Sequence, residues 1–99
     1  EKYYLEALDL EPNFVLALRG LARTYIAMNK LPQAVATLEK VVTLAPQSAE
    51  LYMELGNAYH ISGDSQMALI AYQKVLSLSP NTPLAETAQV EILKIESRK

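Results

Sequence analysis

The 99-residue sequence contains no cysteine, which excludes disulfides and thiolate metal sites and leaves the redox compartment undetermined. Histidine is almost missing as well, with His60 the sole example. A catalytic zinc site normally takes three protein ligands, and no second His or Cys exists to join it. No apolar run approaches the roughly 18 residues that a spanning helix needs, so membrane insertion by this segment is not expected. The opening EKYYLEAL has no basic stretch leading into an apolar one and does not read as a signal segment. Charge of one sign is never concentrated. The nine basic and eleven acidic residues, net −2, are scattered along the chain, which argues against nucleic acid as a partner. Gly-rich phosphate loops, nucleophile elbows and metalloprotease motifs are absent.

What the chain has is apolar residues, 51% of the total, enough for the core of one small domain, and a repeat. Leu10-Glu11-Pro12, Leu44-Ala45-Pro46 and Leu78-Ser79-Pro80 recur at a constant spacing of 34 residues, and a fixed period of that length signals a stacked array. The same shift superposes Leu21 on Leu55, Tyr25 on Tyr59, Ala34 on Ala68 and Val41 on Val75. Within each unit the apolar positions follow helical spacing, as in Leu18, Leu21, Ala22, Tyr25 and again in Ala34, Leu38, Val41, Val42. Two amphipathic helices per unit follow. Asn13 and Ser48 are placed to cap first helices, Asp64 to cap the helix after the turn at Gly63, and Pro32 and Pro83 suit first-turn positions. Gly63 and its counterpart Asn29 suit the left-handed conformation of a tight turn.

The pattern resembles the tetratricopeptide repeat. In residues 49–82, Tyr52, Leu55, Gly56, Tyr59, Gly63, Ala68, Tyr72 and Pro80 stand at signature places, with Val75 where the family usually has Ala. Residues 15–48 depart further, with Leu18 for the bulky aromatic, Ala22 for Gly and Leu38 for the second aromatic. Residues 1–12 match the second helix of an earlier repeat whose first helix is missing, through Tyr4, Ala7, Leu8, Leu10 and Pro12. Residues 83–97 read as a terminal capping helix with one apolar stripe, Leu84, Ala85, Ala88, Ile92 and Ile95. The implied fold is all-α, a right-handed superhelix of antiparallel helical hairpins. The implied function is protein–protein interaction, with a protein or peptide partner and no catalysis, cofactor or metal.

Most of the motif serves packing. Tyr25, Tyr59 and Tyr72 read as core fillers whose hydroxyls reach water or a carbonyl at the edge. Glu50 with Glu54, and Glu86 with Glu91, read as solvated helix faces, since nothing places a nucleophile or electrophile between them. The resemblance implies that ligands contact the first helix of each repeat along a concave groove. Its contact places fall on Arg19, Arg23, Met53, Asn57 and His60, among others. Arg19 and Arg23, four apart, could grip a carboxylate, and Asn57 could satisfy a peptide's donor and acceptor together. The groove is expected to be positive toward the arginines and negative toward Glu50 and Glu54, with an acidic group of the partner near the former. The Lys/Asn/Arg clamp for acidic chaperone tails is not matched, and neither is the asparagine ladder of the sugar-transferase relatives. A second expectation is self-association through Tyr3 and Tyr4, left uncovered by the missing helix.

Overall fold

A computed structural model describes residues 12–97, which form the five helices α1 (Pro12–Ala27), α2 (Leu31–Leu44), α3 (Ala49–Ile61), α4 (Ser65–Leu78) and α5 (Pro83–Glu96). The expectations for residues 1–11, including the earlier repeat and the Tyr3/Tyr4 patch, lie outside the described residues. So do residues 98 and 99.

The helix boundaries follow from local chemistry. Ser48 Oγ accepts the Leu51 amide, Asp64 Oδ1 accepts the Met67 amide at 3.2 Å, and Thr82 Oγ1 accepts the Ala85 amide at 3.2 Å. Each satisfies an N–H that the first turn leaves without a helical partner. Helix α1 begins at Pro12, so Asn13 falls within it.

The two hairpin turns are built alike. Asn29 donates to the Ile26 carbonyl and Lys30 to that of Tyr25, at 2.9 and 2.8 Å; one repeat later Gly63 donates to His60 and Asp64 to Tyr59, at 3.0 and 2.9 Å. This paired closure needs a left-handed residue after the helix, and Asn29 and Gly63 take φ of 62° and 88°.

Packing joins α1 to α2 and α3 to α4 as hairpins, sets α3 against α2, and covers α4 with α5. Small residues mark the close approaches: Ala22, Ala34 and Ala68 are 0% exposed. Gly56 faces the buried ring of Tyr72 so closely that a Cβ built there would lie 2.7 Å from ring atom Cε1. The terminal stripe behaves as its spacing predicts, with Ala85, Ala88, Ile92 and Ile95 buried and Leu84 half-buried.

Two core expectations change at the first repeat. Tyr25 is only half-buried, and Leu21 is 41% exposed where its counterpart Leu55 is 6% exposed. The reason is positional. Helix α3 lies between α2 and α4, whereas among the described residues α1 packs chiefly on α2.

Candidate functional site

Helix α3 is buried over a wide arc because it touches α2, α4 and α5. At about 100° per residue, His60, Met53, Asn57, Glu50, Ile61 and Glu54 follow one another around the axis as one contiguous face, of which Met53 is the buried member. Helix α1 joins this face through Arg19 and Arg23, which both reach Glu54 Oε2; the Arg23 contact is 3.1 Å long and comes from a terminal guanidinium nitrogen, while Arg19 donates through Nε. Arg19 and Arg23 are one turn apart, so a single carboxylate on the next repeat lies within reach of both.

This arrangement alters the expected electrostatics. Glu54, read from sequence as part of a solvated face, is drawn under the two arginines and its side chain is 18% exposed. Arg19 is largely covered, at 24%, and Arg23 remains open, at 64%. The three side chains sum to a single positive charge presented by Arg23, and Glu50 stands exposed one turn earlier on α3. The positive and negative ends expected of the groove are thus partly fused.

Asn57 is exposed, and its Oδ1 accepts the Tyr72 hydroxyl at 2.6 Å. That bond fixes the amide, turning its NH2 toward solvent as a donor. The two-way contact expected of Asn57 therefore narrows to a preference for an acceptor. His60 is half-buried, and its Nδ1 is buried with no hydrogen-bond partner, a cost that buried polar atoms seldom carry. Met53 lies between His60 and Asn57 on the helical wheel but is 9% exposed and belongs to the core. It offers a ligand the least of the five expected residues, because packing around α3 closes over its side chain.

The Tyr72 hydroxyl finds a carbonyl, as expected, though a side-chain one, while that of Tyr59 does not. Tyr72 bonds a side-chain amide and Tyr59 donates to the Glu39 carboxylate. Burial first, and then the charge of Glu91, pushes the Tyr72 phenol up to about 12 from 10.0. Burial, the hydrogen bond to Glu39 and the charges of Glu39 and Asp64 raise Tyr59 further. Both phenols are donors at neutral pH. Sequence reasoning missed the Glu39–Tyr59 bond, which joins residues 20 apart. It also missed Thr82 as a cap, although Thr directly before a first-turn Pro is a signal for one.

No group of three or more metal-ligating side chains is found among the described residues. Asp64, four residues after His60, is engaged as a helix cap. No described helix is long and apolar enough to cross a membrane.

Comparison with known proteins agrees with this architecture. The profile of the tetratricopeptide repeat matches residues 19–83. Among curated relatives, the chain is 28% identical over 78 residues to the DnaJ homolog subfamily C member 7 homolog of Schizosaccharomyces pombe, covering 79% of this chain and 16% of that protein. It is 36% identical over 62 residues to human aspartyl/asparaginyl beta-hydroxylase, covering 63% of this chain and 8% of that protein. The chain thus spans a small fraction of these relatives' length. The solved structure of MamA superposes with a TM-score of 0.65 at 21% identity, over 85% of this chain and 59% of that one, which supports the fold alone. The chain belongs to the tetratricopeptide-repeat family, whose repeats generally mediate protein–protein interaction on a fold that is typically a non-catalytic scaffold.

Proposed function

We propose that the α1/α3 face is a groove for a peptide segment of a partner protein, and that an acidic group of that segment docks beside Arg23. The reading is carried by two exposed polar groups, the open Arg23 guanidinium and the Asn57 amide whose oxygen the Tyr72 hydroxyl holds, on two helices that Glu54 ties together through Arg19 and Arg23. Extended peptides present carbonyl acceptors at regular intervals, which suits the Asn57 donor. Glu54 acts as an internal competitor, because an incoming carboxylate must share the arginines with it.

The test is calorimetric titration of blocked peptides carrying one central Asp or, as control, Asn. Binding of the Asp peptide is expected to weaken with salt and with Arg23→Glu. Because Arg23 is exposed, the loss should be about two- to fivefold, the scale of a screened surface ion pair. Glu54→Gln should strengthen binding by a similar factor. Equal affinity for the Asp and Asn peptides, or indifference to Arg23→Glu, would refute the acidic docking.

A further inference from the structure

A second recess lies at the end of the stack where the two hairpin turns meet. Leu31, Pro32 and Val35 from the first turns of α2, Tyr59 from the last turn of α3, and Ser62 and Asp64 from the loop after it enclose a cleft of about 450 Å³. That volume falls within the range of small-ligand and side-chain pockets. None of the five groove residues lines it.

Its chemistry is specific. Four of the lining residues present largely apolar surface. Around them stand two carboxylates, Asp64 in the wall and Glu39 on α2, which accepts the Tyr59 hydroxyl. Asp64 uses one oxygen to cap the Met67 amide and leaves the other open. Neither carboxylate belongs to an ion pair among the described residues, and Lys30, adjacent to Leu31 in the chain, pairs with neither. Asp64 lines the cleft itself, and Glu39 is tied to it through its hydrogen bond with the lining residue Tyr59. One acid in the wall and a second bonded to a lining residue, neither in an ion pair among the described residues, attract a cation.

We propose that this cleft is a second protein-binding site, taking an apolar side chain flanked by Lys or Arg from a partner protein. The apolar group fills the recess between Pro32, Val35 and the Tyr59 ring, and the cation meets Glu39 and Asp64 at its rim. Its charge preference is opposite to that of the α1/α3 groove, so the two sites select different segments. The cleft's role does not depend on the groove reading.

The experiment is an amide-resolved NMR titration of the whole 99-residue chain with the blocked tetrapeptide Ala-Leu-Arg-Ala. Ala-Ala-Arg-Ala and Ala-Leu-Glu-Ala serve as controls. The Leu-Arg peptide is expected to shift the amides of Leu31, Val35, Tyr59 and Ser62 while leaving Arg19, Arg23 and Asn57 unmoved. Each control should bind about threefold more weakly or worse, the scale of one screened ion pair or one buried methyl cluster. The double variant Glu39→Gln/Asp64→Asn keeps a hydrogen-bond acceptor at both positions, so the fold and the helix cap persist, and it should weaken the Leu-Arg peptide about three- to tenfold. Absence of shifts in the cleft, equal binding of the Leu-Glu peptide, or an unchanged affinity in the double variant would overturn the proposal. Shifts confined to Arg23 and Asn57 would assign the peptide to the groove and overturn it too. Shifts at the cleft that depend on protein concentration without peptide would make the occupant a second copy of this chain, and would likewise overturn it.

Discussion

Replacing Gly56 by Ala tests the closest contact in the stack. An added methyl would sit 2.7, 2.8 and 3.1 Å from Cε1, Cδ1 and Cζ of Tyr72, well inside carbon–carbon contact distance. The ring cannot simply swing away, since Tyr72 is 1% exposed and its hydroxyl is tied to Asn57 Oδ1 at 2.6 Å. Overpacking of a filled core costs about 1–3 kcal/mol, and a displaced ring would forfeit about 1 kcal/mol of hydrogen bonding. Against this stands a gain of about 1 kcal/mol for Ala over Gly in a helix interior. Gly56→Ala should therefore lose about 1–3 kcal/mol. Gly20 supplies the internal control, because a Cβ there has no neighbour within 4 Å, and Gly20→Ala should gain up to about 1 kcal/mol. Urea denaturation followed by circular dichroism reads both values. In a Tyr72→Leu background the obstacle is smaller, so Gly56→Ala should become neutral or stabilising, a coupling that a double-mutant cycle isolates. If Gly56→Ala stabilises the wild-type chain as much as Gly20→Ala does, the close approach of α3 to α4 is not the constraint derived above.

Ala68→Leu should lower the melting temperature, because Ala68 is 0% exposed and a larger side chain forces α3 and α4 apart at about 1–3 kcal/mol; an unchanged melt would refute that crossing. Alkaline pH should destabilise the fold in a defined window. The folded-state pKa of Tyr72, about 12, exceeds the unfolded value of 10.0, so its contribution is intact below pH 10 and is lost as pH rises through about 12. The raised phenol of Tyr59 extends the loss to still higher pH. Thermal melts across that range should show the decline, and Tyr72→Phe should flatten its first part; identical pH profiles for the two proteins would count against the assignment.

The fold was legible because its determinants are local or periodic. A constant spacing of 34 residues places Ala34 and Ala68, and then Gly63 and Asn29, at equivalent points of two hairpins, and each does the same physical work in both. End effects were harder to read. Leu21 and Leu55 match in sequence yet differ in exposure, 41% against 6%, because burial depends on which helix lies alongside, and periodicity describes only the interior of an array.

That the expected residues of α3 share one side of the helix was legible; their charge environment was not. Spacing around a helix of about 100° per residue suffices to gather Met53, Asn57 and His60 on one side of α3. It cannot reveal that Glu54 reaches across to Arg19 and Arg23, since that pairing depends on the offset between α1 and α3, which backbone packing sets. Nor can spacing foresee that the Tyr72 hydroxyl, arriving from α4, orients Asn57. Both contacts tie the polar surface to the packing core: the ring that crowds position 56 also holds the Asn57 amide on the α1/α3 face. A substitution made to relieve crowding around Tyr72 would therefore free the Asn57 amide to rotate, and on the proposed reading of the α1/α3 face peptide affinity would change without any altered group on that face itself.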